Sequence, residues 1–319
     1  MTRAPGTWHG TAPRPLTAVA STGIFCRPGC PAPAPRPDHV ERMATAHEAL
    51  FAGYRACLRC RPLESYGADV TPAQLRRAEA LRPLLAAARK HGRPRSGAAA
   101  IVLRMLPTPL GPMLAGTTDD GICLLEFTDR PMLPTQLKVL EGRIGRPLVT
   151  GRHPLLDELA AELDAYFAGQ RAAFELPLVA PGTPFQERVW ATLQRIPAGS
   201  AISYEELAEH AGRRGAQRAA GTANGANRLA LLIPCHRVIR KSGETGNYGG
   251  GTWRKAWLLD HERTMATGRV PELSGSPAGQ RRSAFQATST PTSSYFHATS
   301  TEAKPAARSQ SRWSEAVSR

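Results

Sequence analysis

Four of the six cysteines form two close pairs. Cys26 and Cys30 lie in the sequence CRPGC, and Cys57 and Cys60 lie in the sequence CLRC. Two such pairs can bring four thiolates to one tetrahedral Zn²⁺ ion. Six cysteines are too few for a disulfide scaffold in a chain of this size. The spacing therefore predicts a zinc site with four cysteine ligands. Four thiolates carry more negative charge than the ion neutralises, so one sulfur could also be a nucleophile. The spacing of the cysteines does not decide whether the site is structural or reactive.

A second candidate for chemistry is the cysteine at position 235, which precedes His236 in the sequence IPCHRV. A thiol beside a base can attack an electrophilic carbon. Three interpretations are compatible with this pair of residues alone: an ordinary buried cysteine, the nucleophile of a thiol hydrolase, or an acceptor of alkyl groups.

Local signals predict the elements around the first four cysteines. Segment 44–53, between the two pairs, has helical character. Residues 71–92 predict a longer helix, because Thr71 can cap it and Pro72 suits its first position. This helix carries a basic face, and we expect Pro83 to kink or divide it.

A second globular unit is predicted to begin near residue 101. Segments 101–106 and 122–127 have the character of strands, and 154–168 has the apolar spacing of an amphipathic helix. Cys123 lies in the apolar sequence GICLLEF, which is typical of a buried structural thiol.

Two capping boxes mark helix starts further along the chain. They pair Thr183 with Gln186 and Ser203 with Glu206. A third helix, rich in alanine and glycine, is predicted at 215–224. The last two helices resemble a helix-turn-helix, although small residues are also typical of a helix that is simply packed tightly.

The overall charge bears on the partner. The chain has 319 residues and a formal net charge of +15, which favours a polyanion such as nucleic acid, unless it reflects only an arginine-rich composition. No apolar run is long enough to span a membrane, and the first residues have no secretory apolar segment. We therefore expect a cytoplasmic protein with no membrane partner.

The sequences TGIFCRPGC and HEALFAGYRACLRC resemble the metal-binding domain of the Ada family of alkylation-repair and response proteins, over residues 17–62. The resemblance implies that Cys26 accepts a methyl group from a methylated DNA phosphate. It also implies that Zn²⁺ is held by Cys26 together with Cys30, Cys57 and Cys60.

Residues 183–262, from TPFQERVW to WLLDHE, resemble O6-alkylguanine-DNA alkyltransferases, with weaker similarity back to about residue 101. The implied fold class is α/β (α+β). A small zinc-bound N-terminal unit precedes a ribonuclease-H-like subdomain and a helical subdomain that contains the helix-turn-helix.

This resemblance assigns the reacting groups. Cys235 is the alkyl acceptor, His236 is the base that acts through a water molecule, and Glu262 orients the imidazole. Asn227 braces the turn that precedes the acceptor.

Further positions match groups that handle the damaged base. The Tyr204 hydroxyl donates to the departing guanine, and Tyr248 lines the alkyl pocket. Because the target atom lies inside the duplex, the base must leave the stack, and Arg218 fills the space it vacates. Ala219 and Gly221 let their helix enter the minor groove.

The implied activity is stoichiometric repair of O6-alkylguanine, and of O4-alkylthymine, in double-stranded DNA by a monomer. A thioether is a very poor leaving group, so each cysteine reacts once. The predicted division of the chain is a disordered N-terminus, a zinc-binding domain, a basic helical linker, two alkyltransferase subdomains and a disordered tail: 1–16, 17–62, 63–100, 101–182, 183–266 and 267–319.

Rival functions remain open. The region between residues 61 and 100 is too short for the paired helix-turn-helix units of AraC type that the full Ada arrangement contains. The main alternative is a transcriptional regulator of the alkylation response, switched by methylation of Cys26. A non-catalytic binder of alkylated DNA would lack the cysteine found at position 235, and a thiol hydrolase would show ester turnover with a burst.

Overall fold

The computed structural model describes residues 15–68, 70–90 and 99–267. The disorder predicted for the N-terminus and for the C-terminal tail falls on residues outside these ranges, apart from the residues at their edges. The described chain is a mixed α/β protein, as the sequence predicts.

The N-terminal region is a four-stranded sheet with two short helices. The strands, in the spatial order β3-β1-β2-β4, are β1 (Leu16–Val19), β2 (Ile24–Cys26), β3 (Val40–Met43) and β4 (Arg55–Ala56). The helices are α1 (Ala46–Phe51) and α2 (Pro62–Tyr66). Strand β1 pairs antiparallel with β2 and β3, and β2 pairs parallel with β4. This pairing brings the end of β2, where Cys26 lies, beside the segment that follows β4.

Helix α3 (Pro72–Lys90) is the predicted basic helix, and it is not divided at Pro83. Proline removes one backbone hydrogen bond, but Pro83 is exposed, so water can satisfy the freed carbonyl. The opposite face is buried, and Leu81 and Leu85 pack in one apolar cluster that contains residues from both the N-terminal sheet and the following sheet. Helix α3, which lies within the predicted linker, is thus a packed part of the core.

The second sheet follows in the chain. Its strands, in the spatial order β7-β6-β5-β8, are β5 (Ile101–Leu106), β6 (Met113–Thr118), β7 (Gly121–Phe127) and β8 (Leu148–Thr150). Strands β5 to β7 are antiparallel, and β8 pairs parallel with β5. The predicted strands correspond to β5 and β7, whereas β6 and β8 are additional to the sequence prediction. Two helices cover the faces of this sheet: α4 (Leu133–Ile144) and α5 (Pro154–Phe167).

The remaining elements form the helical part that holds position 235. They are α6 (Pro184–Gln194), β9 (Ile202–Ser203), α7 (Tyr204–His210), α8 (Gln217–Gly225), a 3-10 turn (Cys235–Arg237), β10 (Val238–Ile239) and α9 (Thr252–Thr267). Both predicted capping boxes are confirmed, at the starts of α6 and α7. Among the described helices, none combines the length and apolarity needed to cross a bilayer.

One backbone contact connects the second sheet to the helical part. The amide of Leu125 in β7 donates to the carbonyl of Arg228 at 2.8 Å, and the amide of Ala230 donates to the carbonyl of Leu125 at 2.8 Å. Strand β7 therefore fixes the segment that runs from α8 towards Cys235.

Candidate functional site

Cys235 begins a 3-10 turn and is 5% exposed. The segment before it is folded around the side chain of Asn227, which is buried. Asn227 Oδ1 accepts from the amide of Leu229 at 2.9 Å, and Nδ2 donates to the carbonyl of Ile233 at 2.8 Å. Asn224 Nδ2 donates to the carbonyl of Cys235 at 3.3 Å. Amide side chains thus hold the segment before the turn and the first residue of the turn, and we call the segment 226–234 the Asn227 bracket.

The surroundings of the Cys235 sulfur affect its ionisation in opposing ways. Burial raises the pKa of Cys235, whereas a hydrogen bond from Asn227 and the positive charge of Arg130 lower it. The thiol is thus protonated at rest, and a nucleophilic reaction requires a base to remove its proton.

His236 and Glu262 lie within hydrogen-bonding distance in the fully buried region behind this cysteine. His236 Nε2 is 2.8 Å from Glu262 Oε1. Since an ionised carboxylate only accepts, Nε2 carries the proton and Nδ1 is left as an acceptor. Burial lowers the pKa of His236, against the influence of Glu262. Nδ1 has no partner within the described part of the chain, so it is available as a base.

Glu262 is held by more groups than the sequence indicated. Arg237 donates to both carboxylate oxygens at 2.8 Å, and the Tyr166 hydroxyl donates to Oε1 at 2.9 Å. Burial alone would raise the pKa of Glu262, but the hydrogen bonds from His236 and Arg237 outweigh it and hold the pKa well below its ordinary value. The carboxylate is therefore ionised and fixed in orientation.

Sequence reasoning missed Arg237 and Tyr166. Arg237 follows His236 directly in the PCHR motif, and this adjacency is the one local signal for it, whereas its burial and its contact with Glu262 are visible only in the structure. Tyr166 lies in the apolar pattern of α5, 96 positions from Glu262, and the sequence carries no signal for their contact.

The two predicted tyrosines lie near the acceptor. The pKa of Tyr204 and that of Tyr248 are both raised, by burial first and then by the nearby Cys235, whose thiolate form would repel a second negative charge. The Tyr248 hydroxyl is buried without a hydrogen-bond partner among the described residues, and its ring is 6.5 Å from that of His236, nearly perpendicular to it. Both tyrosines pack against the apolar cluster that contains Cys235.

Helix α8 carries the other predicted residues. Arg218 is exposed in the first turn, Ala219 is partly exposed, and Ala220 and Ala223 face the core. A side-chain carbon at Gly221 would be 3.6 Å from the ring of Tyr204, so the helix lies close to that tyrosine. The exposed side of α8 presents Gln217, Arg218 and otherwise small residues, a surface that suits the minor groove.

The four clustered cysteines also come together. The sulfurs of Cys26, Cys30, Cys57 and Cys60 all lie within 4.8 Å of one another. Tetrahedral zinc with Zn–S distances of about 2.3 Å needs sulfurs about 3.8 Å apart, so the cluster fits the ion. Burial opposes ionisation of Cys57, but amide donors at Cys60 and Arg59 bring its pKa down to about 7. Such donors stabilise a thiolate ligand.

An open cleft of about 1080 Å³ adjoins this cluster. Cys26 lines it, and four basic side chains do so as well: Arg27, Arg36, His39 and Arg42. Cys26 and Cys30 also line the cleft and are less buried than Cys57 and Cys60, so these two ligands lie nearer to solvent. The basic side chains that line the cleft make it suitable for binding a phosphate group.

Comparison with protein families matches three parts of the chain. Residues 14–63 match the metal-binding domain of Ada, residues 101–180 match the ribonuclease-like domain of 6-O-methylguanine DNA methyltransferase, and residues 184–264 match the DNA-binding domain of the same enzyme. The first match and the sulfur cluster make the N-terminal unit a zinc-binding domain, and the third gives the protein DNA as its partner.

Individual relatives agree with these matches. A methylated-DNA–protein-cysteine methyltransferase from Mycobacterium leprae is 38% identical over 160 residues, which are 50% of this chain and 91% of the relative. One from Shigella flexneri is 50% identical over 163 residues, which are 49% and 92% of the two chains. A crystal structure of Mycobacterium tuberculosis OGT in complex with DNA is 35% identical, covering 51% of this chain and 94% of that one, with a TM-score of 0.45. With its Cys-His-Glu constellation and the Mycobacterium leprae and Shigella flexneri relatives, the chain belongs to the methylated-DNA–protein-cysteine methyltransferases, DNA-repair enzymes, and it carries an additional Ada-type zinc-binding domain.

Proposed function

We propose that the protein transfers the alkyl group of O6-alkylguanine, and of O4-alkylthymine, in double-stranded DNA to the sulfur of Cys235, once per molecule. The observation that carries this proposal is the buried Cys235 followed by His236. The Nε2 atom of His236 donates to the ionised carboxylate of Glu262, and its Nδ1 atom remains an acceptor. All these groups come from one chain, which supports action as a monomer.

The reaction is a direct displacement. The sulfur forms a bond to the alkyl carbon while the bond from that carbon to guanine O6 breaks. The thiol proton passes to His236 through water, and the guanine ring gains a proton through Tyr204. Exchange with water restores both side chains, so the products are a thioether and an unmodified guanine. No group in the site can displace a thioether, so Cys235 is consumed.

Access to the base requires its extrusion from the duplex. The exposed small-residue side of α8 supports approach to the minor groove, and exposed Arg218 is the side chain that would occupy the gap in the stack. Tyr204 and Tyr248 would then border the extruded base.

Peptide mapping by mass spectrometry tests this proposal. After incubation with an oligonucleotide that contains one O6-methylguanine, we expect the peptide with Cys235 to gain one methyl group. Cys235→Ala should remove this gain, and Cys123→Ala, a change at another buried cysteine, should leave it. A wild-type protein that gains no methyl group on this peptide would contradict the proposal.

We propose a second activity at Cys26, which is transfer of a methyl group from a DNA methylphosphotriester. The basic cleft beside Cys26 favours it, because arginine side chains there can hold the phosphate. Zinc bound by the four cysteines would keep the Cys26 thiolate deprotonated at neutral pH. The Cys26 sulfur forms the bond to the methyl carbon while the bond from that carbon to the phosphate oxygen breaks, which leaves an ordinary phosphodiester. An oligonucleotide with a single methylphosphotriester should methylate Cys26 in the Cys235→Ala variant, and absence of methyl on that peptide would overturn the assignment.

A further inference from the structure

A second buried ion pair lies close to the acceptor cysteine, and it involves none of the residues assigned above. Glu126 is near the end of β7 and is 1% exposed, and Arg130 in the following turn is 7% exposed. The two side chains form a salt bridge. Glu126 Oε1 also accepts from the amide of Phe127 at 3.0 Å, which fixes the carboxylate. Arg130 is thus held in one orientation by its own strand and turn.

The guanidinium of Arg130 reaches the main chain on the far side of the site. Nη1 donates to the carbonyl of Asn227 at 3.1 Å, and Nη2 donates to the carbonyl of Gly225 at 2.5 Å. Gln136 Nε2 donates to the same Asn227 carbonyl at 3.2 Å. These carbonyls mark the end of α8 and the start of the Asn227 bracket. The Arg130 side chain therefore connects the second sheet, helix α8 and the Asn227 bracket.

Arg130 also contacts the segment that carries Tyr248. A side-chain carbon at Gly249 would lie 2.6 Å from both Cζ and Nε of Arg130, so only glycine allows the guanidinium to lie against this backbone. Tyr248 is the adjacent residue and borders the proposed alkyl pocket. Arg130 is thereby placed between the two segments that enclose Cys235.

Stability alone does not account for a buried ion pair in this place. Desolvation of two charges costs about as much as their attraction returns, and apolar side chains of similar volume often stabilise a protein equally well. Apolar side chains could not, however, donate to two carbonyls at once, as the planar fork of arginine does.

The pair also contributes to the electrostatics of the thiol. After burial, which raises the pKa of Cys235, the charge of Arg130 lowers that pKa more than the charge of Glu126 raises it. Within the described part of the chain, further groups near the thiol include one cation, one amide, two phenols and the next residue in the chain: Lys255, Asn227, Tyr204, Tyr248 and His236.

We infer that Arg130, oriented by Glu126, is a positioning residue for alkyl transfer, because it fixes the Asn227 bracket and the Tyr248 segment around the sulfur of Cys235. This inference rests on the proposed transfer to Cys235 and adds a group that does not touch the alkylated base.

The test uses the full chain with its zinc and measures single-turnover transfer from a saturating O6-methylguanine duplex between pH 6 and 9. The double variant Glu126→Gln/Arg130→Met removes both charges and leaves no ion unpaired. We expect its transfer rate to fall about tenfold or more, because small displacements of reacting groups are costly. The alkaline part of its rate profile, which reflects ionisation of the Cys235 thiol rather than of His236, should also move to higher pH, and its affinity for the duplex should be unchanged. Arg146→Met, which breaks an exposed pair with Asp120, is the matched control.

Arg130→Lys keeps the charge but cannot span two carbonyls, so it should restore the pH profile and leave the rate below that of the wild type. This variant decides the question if the double variant does not fold. Transfer at the wild-type rate by a folded Arg130 variant, with an unmoved pH profile, would overturn the inference. A wild-type protein without transfer would instead refute the proposed function.

Discussion

His236 and Glu262 form a completely buried pair, with Nε2 and Oε1 2.8 Å apart, in which the carboxylate also receives two hydrogen bonds from Arg237. Glu262 orients the imidazole of His236 and places a negative charge beside it, and both effects serve the removal of the proton from the Cys235 thiol. Removing the charge of Glu262 should therefore affect both transfer and stability.

Glu262→Gln should slow methyl transfer to Cys235 by about tenfold to a hundredfold, because the imidazole loses its orienting anion. It should also lower the free energy of unfolding by roughly 3 kcal/mol, since Arg237 is left as a buried charge without its partner. Single-turnover rates and urea unfolding measure the two effects. Glu244→Gln, in an exposed pair with Arg240, should change stability by about 1 kcal/mol or less. Equal effects of the two variants would contradict the assigned network.

The pH dependence of transfer should follow His236. Burial lowers its pKa, so the neutral imidazole persists below the ordinary value of about 6.5. We therefore expect the rate to fall on the acid side with a midpoint below about pH 6.5. In the unfolded chain this histidine binds its proton more readily, so its contribution to stability decreases as the pH drops below that value. A midpoint above pH 6.5 in single-turnover assays at saturating DNA would show that another group limits the rate.

Loss of zinc should affect the N-terminal domain without abolishing transfer to Cys235. Cys57→Ser removes one of four ligands, so we expect zinc to be absent by elemental analysis and the N-terminal domain to lose its folding energy from the metal. The Cys235 peptide should still gain its methyl group, at a rate within about threefold of the wild type, because its hydrogen-bond partners come from other elements. Cys123→Ala should keep the zinc. Retention of zinc by Cys57→Ser would remove Cys57 from the ligand set.

Gly53 should be essential for the packing of α3 against the N-terminal domain. Arg89 of α3 donates to the carbonyls of Ala52 and Gly53 at 2.6 and 2.7 Å. A side-chain carbon at Gly53, whose φ is +82°, would lie 2.7 Å from Leu85 Cβ. Gly53→Ala should therefore destabilise the protein by about 2–4 kcal/mol, through backbone strain and overpacking together.

Gly145 provides the control for this prediction, because it has a φ of +70° and a side-chain carbon added there would meet nothing within 4 Å. Gly145→Ala should cost only the backbone strain, about 1 kcal/mol. Equal shifts of the urea midpoint in the two variants would show that α3 does not pack closely against Gly53.

Local signals predicted much of the fold. The capping boxes located the starts of α6 and α7, because these interactions lie within one helical turn. Strands β6 and β8 were missed, since β6 (MLAGTT) contains alanine and glycine, which are weak strand formers, and β8 is only three residues long. The predicted domain boundaries and the roles of individual site residues stay predictions.

The amino-acid sequence by itself determined the four sulfur ligands, the adjacent Cys235 and His236, and, through family resemblance, Glu262. These assignments depend on residue type and on spacing along the chain. Only the tertiary structure decided that Tyr166 and Arg237 share one carboxylate, that α3 belongs to a common core, and that Arg130 reaches the Asn227 bracket. The physical reason is that contacts between distant parts of a chain depend on burial and on the packing of whole elements, which no local pattern encodes.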